Sequence, residues 1–213
     1  MTTAMEPTHA VVSCDVIDRA RGGDRAALGV LWRVYQPQLL RFLRATGSTT
    51  AEDVASEVWM DVGRALHRFE GDGRALQRWL FTIARRRNID ETRRRARRKE
   101  SPVPIDEHRQ LASMDDPSLE INPLESAIAL VSALPTQMAE AVMLRIVHDL
   151  SVEDVAAIME ITDGNVRVLT HRGITKLRAQ ACQERSPSDL LLAGAPTESS
   201  FAATSVSISD RSL

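Results

Sequence analysis

The sequence predicts an all-α protein of two small helical domains joined by an acidic, proline-containing linker. Three observations carry this. Ala, Leu, Arg and Glu dominate a chain with only 10 Gly and 9 Pro, a composition that favours helix. Apolar residues recur at spacings of three and four rather than two. Residues 101–123 are charged and hold Pro102, Pro104, Pro117 and Pro123, which no helix sustains.

The first helical part spans 15–100, after an N-terminal tail (1–14). Ala27, Leu28, Leu31, Val34, Tyr35, Leu39, Phe42 and Leu43 fall at helical spacing, with Pro37 expected to kink or break the run. A second helix is predicted from Thr50, where Thr50 and Asp53 stand as a capping box. Val54, Val58, Val62, Leu66 and Phe69 then form one apolar stripe. The segment Glu70 to Ala75, EGDGRA, ends that helix, and a third begins near Leu76.

The third helix holds the strongest charge anomaly. The net charge is only -2. Yet from Arg74 to Glu100 stand Arg74, Arg78, Arg85, Arg86, Arg87, Arg93, Arg94, Arg95, Arg97, Arg98 and Lys99, against Asp90, Glu91 and Glu100 alone. Leu76, Trp79, Leu80, Ile83 and Ala84 give the early turns a packing face. Beyond Asp90, arginines fall on every side. A helix end charged all round is either solvated or lies against a polyanion, and such density favours nucleic acid. The compensating acid sits next door, in Asp106, Glu107, Asp115, Asp116, Glu120 and Glu125.

The second helical part spans 124–184. Ala127, Leu130, Val131 and Leu134 predict a short helix ending before Pro135, and Met138 to Val147 another. Ser151 and Thr162 are good N-caps for segments Ser151 to Met159 and Thr162 to about Gln180. Two capped helices about three residues apart make a helix-turn-helix. The second is basic, with Arg167, His171, Arg172, Lys176 and Arg178, and Asn165 and Arg167 can pair with adenine and guanine edges. The Ser/Ala-rich tail, 185–213, is expected to be disordered, with Leu190 to Leu192 as its one apolar cluster.

Other classes are disfavoured. No apolar run reaches the roughly 20 residues of a membrane span, and the N-terminus lacks a signal-peptide pattern, so a cytoplasmic location is expected. Cys14 and Cys182 form no CxxC, and no two histidines have zinc-ligand spacing. No nucleophile, base or phosphate loop stands out, so neither enzymatic activity, metal nor cofactor is expected. Read from the residues alone, a free-standing helix-turn-helix regulator with a sensing or dimerising N-terminal domain fits as well.

In order, the pieces resemble a sigma factor of bacterial RNA polymerase, of the extracytoplasmic-function type. Residues 20–44 resemble the opening helices of sigma region 2, AEDVASEVWMDV (51–62) the polymerase-docking segment, RWLFTIARRRNIDETRRRARR (78–98) the −10 segment, and residues 134–178 region 4. The resemblance implies an initiation subunit that binds core RNA polymerase and promoter DNA, with an anti-sigma protein as a further partner. It implies polymerase contact by Glu52, Asp53, Ser56 and Glu57. It implies −10 DNA contact by Arg74, Arg78, Arg85, Arg86, Asn88, Arg93 and Arg94, with the loop Phe69 to Arg74 capturing an extruded base. For the −35 element it implies Asn165, Arg167, Val168, His171 and Arg172. The family usually carries Asn at Arg86 and often Gln at Ser56.

Overall fold

The computed structural model describes residues 12–100 and 123–184; the linker expected at 101–123 falls outside it but for Pro123, as do the two tails apart from residues 12–14. Every element among the described residues is helical.

Helix α1 (Cys14–Arg21) leads through Gly22 and Gly23 into α2 (Arg25–Ala45). Gly23 has φ +85, a conformation only glycine adopts cheaply. The next helix is capped by Asp24, whose carboxylate accepts from the N–H groups of Ala26 and Ala27. Sequence periodicity did not separate these two helices. Nor does Pro37 end α2, which continues to Ala45. Leu31 and Tyr35 before the proline and Leu39, Phe42 and Leu43 after it are all buried on one stripe. Burying five large side chains at about 1.5–3 kcal/mol each outweighs the roughly 3 kcal/mol that an interior proline costs.

Helix α3 (Ala51–Ala65) buries Val54, Val58 and Val62, and Leu66 follows in a short 3₁₀ turn, as the stripe predicts. Its expected capping box does not form. Thr50 precedes the helix, but its hydroxyl makes no cap hydrogen bond, and its φ −132 and ψ 48 lie outside the extended conformation usual for an N-cap. After the break at Phe69 to Asp72, α4 (Gly73–Glu100) runs 28 residues and buries Leu76, Leu80, Phe81 and Ala84.

In the second part, α5 (Pro123–Ser132) packs on α2, and α6 (Thr136–Val142) widens into a π turn, Met143–Val147, within what sequence predicts as one helix. Helices α7 (Val152–Met159) and α8 (Asp163–Glu184) form the helix-turn-helix. Ser151 caps α7, accepting from the Asp154 N–H at 3.0 Å, and Thr162 accepts from the Asn165 N–H at 3.4 Å. Glu160, with φ 57, closes the turn in the left-handed region. Gly173 lets α8 lie directly on α6: a Cβ there would stand 2.6 Å from Val142 Cγ2.

The two parts share a core, which the sequence did not foretell. Helix α4 packs on α7, and α2 on α5 and α6. At the centre Phe42 meets Phe81 edge-on at 5.3 Å, and Phe81 lies 4.4 Å from the buried ring of His148.

Candidate nucleic-acid interface

The arginines of α4 divide by the face they occupy. Arg87 points to α3, donating from Nε (2.7 Å) and Nη2 (2.5 Å) to Asp61 and reaching Glu57 at 3.5 Å. Arg94 pairs with Glu91 and lies 3.7 Å from Glu57. Arg78 pairs with Asp154 at 3.0 Å and Arg85 with Glu140 at 3.1 Å, both across the contact with the second part. Arg74, Arg86 and Arg93 are exposed and form no ion pair among the described residues. Of the seven residues assigned to −10 DNA, these three present free charge to solvent.

Asn88 is placed inward. It is 6% exposed and donates from Nδ2 to the Thr46 hydroxyl at 3.1 Å. Leu80, Ala84 and Asn88 lie four residues apart, so the packing stripe of α4 runs one turn further than its apolar residues advertise.

The loop Phe69 to Arg74 is held at both ends. Phe69 stacks on Trp79 with ring centroids 5.3 Å apart, and the Tyr35 hydroxyl donates to the Gly73 carbonyl at 3.4 Å. Gly71 has φ +144, and a Cβ there would stand 2.7 Å from Ala75 Cβ and 3.1 Å from the Phe69 ring. Glycine is therefore required for this closure.

On α3, Glu52, Asp53 and Ser56 are exposed on one face with Met60, while Glu57 is half-buried. Arg44 hydrogen-bonds Glu52 at 2.6 Å and, with backbone help, holds its carboxyl below the usual carboxylate range. Ser56 donates to the Glu52 carbonyl at 2.9 Å, so its hydroxyl is tied to its own helix. Of the three carboxylates, Asp53 offers the least encumbered negative charge.

The five residues that the resemblance assigns to −35 DNA lie together on one helix. Asn165, Arg167, Val168, His171 and Arg172 are all exposed on the first turns of α8, while Val166 beside them is fully buried. An exposed apolar Val168 among polar side chains suits contact with a thymine methyl. Residues that sequence reasoning missed are those of the contact between the parts: Gln77, which donates to the His148 carbonyl at 3.1 Å, and Glu140 and Asp154. Burial pushes the Glu140 carboxyl up, against the pull of the Arg85 guanidinium. Among the described residues no group of three or more His, Cys, Asp or Glu could hold a metal ion, and no helix is long and apolar enough to cross a membrane.

Comparison with known proteins matches this arrangement piece by piece. The family model for sigma-70 region 2 matches residues 31–98, and that for sigma-70 region 4 matches 124–177. The sigma factor SigD of Mycobacterium tuberculosis is 31% identical over 171 residues, covering 76% of this chain and 81% of SigD. ShbA of Streptomyces griseus is 31% identical over 185 residues, covering 79% of this chain and 94% of ShbA. Among solved structures, the sigma factor RpoE of Bartonella quintana in complex with the anti-sigma factor NepR superposes with TM-score 0.57 at 23% identity. It covers 74% of this chain and 98% of that one, a likeness of fold.

Proposed function

Because this chain belongs to the extracytoplasmic-function sigma factors of the sigma-70 family, we propose that it is a dissociable subunit that carries core RNA polymerase to its promoters and helps melt them. The observation that carries this is order along one chain: an acidic docking helix (α3), an arginine helix (α4), then a helix-turn-helix (α7 and α8). No chemistry of its own is required of it, and its place of action is the cytoplasm, where polymerase and chromosome meet.

The residues take the following roles. Asp53 and Glu52 on α3 meet a basic surface of the polymerase. Arg74, Arg86 and Arg93 contact phosphates of the −10 region, and the loop Phe69 to Arg74 takes an unstacked base, whose capture helps separate the strands. Asn165, Arg167, Val168, His171 and Arg172 read the −35 element in the major groove. An anti-sigma protein completes the partners.

Run-off transcription with purified core enzyme over a library of genomic templates tests this reading. Promoter-dependent transcripts are expected only when the chain is present. Mobility shifts separate it from a free-standing regulator. A sigma factor binds promoter duplex well only with core enzyme, whereas tight binding by the chain alone, with no transcript, would replace it with the regulator.

A further inference from the structure

One carboxylate on the arginine helix has no partner in the fold. Asp90 is exposed and lies within about one turn of four arginines, Arg86 and Arg87 before it and Arg93 and Arg94 after it. It forms an ion pair with none of them. Arg87 is turned to Asp61 and Glu57, and Arg94 to Glu91 and Glu57. Asp90 also stands in the interior of α4, where it caps no terminus and meets neither end of the helix dipole.

The strip that Asp90 occupies is otherwise cationic. At 3.6 residues per turn, Arg86, Asp90, Arg93 and Arg97 fall within a sector of about 60° and along about 16 Å of the helix axis. All four are exposed, and the three arginines pair with no acid among the described residues. Arginines that meet phosphates fix position without reading sequence. A carboxylate among them repels every phosphate they attract, which lowers affinity for all sequences alike. That repulsion is offset only where a base presents a donor to it. Cytosine does so, because its exocyclic N4 amine is the group on a base edge that an aspartate accepts from.

We propose that Asp90 determines specificity on the arginine helix by accepting a hydrogen bond from the N4 amine of one cytosine in the −10 region. This rests on the sigma-factor reading, which supplies the DNA partner. Arg86 and Arg93, one turn to either side, hold the backbone and present the base between them. Where another base stands at that position, the carboxylate finds no donor and its repulsion of the phosphates is left uncompensated. Discrimination then comes from both signs, attraction to one base and a penalty on the other three.

The test is competition binding by the full chain with core polymerase, on a promoter from the run-off library in which each −10 base pair is varied singly. The unmodified chain is expected to favour cytosine at one position about tenfold. Asp90→Ala is expected to remove the preference at that position alone, and to raise affinity for the other three bases there about twofold as the repulsion is relieved. Asp90→Asn is expected to move the preference to adenine, whose N6 and N7 an amide pairs bidentately. A purely structural residue does not convert one base preference into another. Three results overturn the assignment and leave the sigma-factor reading standing: an equal gain on every template, an equal loss on every template, or a base preference unchanged in both variants. If none of the three chains binds any template in a polymerase-dependent way, the sigma-factor reading falls and the role of Asp90 falls with it.

Discussion

Arg87 and Asp61 join α4 to α3 through a two-pronged contact, Nε and Nη2 of one guanidinium both donating to Asp61 Oδ2 at 2.7 and 2.5 Å. The hydrogen bond raises the Arg87 pKa further above its ordinary value. This arginine, the last in a run of three, therefore stabilises the bundle while Arg86 beside it faces solvent. Arg87→Ala is expected to lower the unfolding free energy by about 1 kcal/mol, the modest value due to a partly solvated pair. The loss should shrink in 1 M salt, where screening already weakens the contact. Urea melts at two salt concentrations measure both effects.

The division of the arginines sharpens what DNA binding should show. Arg86→Ala and Arg93→Ala are each expected to reduce the salt slope of promoter binding by about one, as the loss of one phosphate contact requires. Arg94→Ala should change it less, since Glu57 and Glu91 already stand against that side chain. Filter binding by the holoenzyme from low to moderate salt gives the three slopes.

How far this was legible in the sequence depends on the range of each interaction. The α3 stripe and the Ser151 and Thr162 caps involve neighbours within one or two turns, and they stand as the spacing predicts. Asn88 shows where local reading stops. It sits in an arginine-rich run and resembles a DNA contact, yet its wheel position behind Leu80 and Ala84 turns it to Thr46. Pro37 does not break α2, because propensity counts a missing hydrogen bond but not the core on either side. The Arg85–Glu140 pair spans 55 positions and has no periodic signature at all.

Base readout at the recognition helix calls for a different measurement. Asn165 is exposed at the start of α8 and its amide can pair bidentately with adenine. Asn165→Ala is expected to cost about 1–3 kcal/mol on promoters with the preferred base at one −35 position, and little on others. Competition binding across single-base −35 variants checks this. An equal loss on every variant would assign Asn165 to the fold.

Gly173 is held by packing and not by backbone conformation. A methyl there would meet Val142 Cγ2 at 2.6 Å, with Leu134 Cδ1 and the Met138 carbonyl at 3.6 Å behind it. Val142 is buried and, being β-branched, has little freedom to turn aside. Gly173→Ala would gain about 1 kcal/mol of helix propensity, but forcing α6 and α8 apart costs about 1–3 kcal/mol. A net loss of stability is expected, together with weaker −35 binding as α8 shifts. A thermal melt that rises instead would mean that the two helices part without cost.

Tyr35 is the single tyrosine of the chain, so its ionisation can be read directly by absorbance. Burial pushes its pKa up to about 12, opposed by a backbone hydrogen bond at Val12 and aided by the negative charge of Asp72. The neutral phenol is the form that the folded state favours. Its contribution to stability is therefore intact below the unfolded value of about 10 and is lost as pH rises from there to about 12. The shift of about two units corresponds to about 2–3 kcal/mol over that window. A phenolate midpoint near 12 is expected while circular dichroism still reports helix. A midpoint near 10 in the folded chain would mean that the Tyr35 hydroxyl meets water, and that the contact between α2 and the start of α4 is looser than the Tyr35–Gly73 hydrogen bond implies.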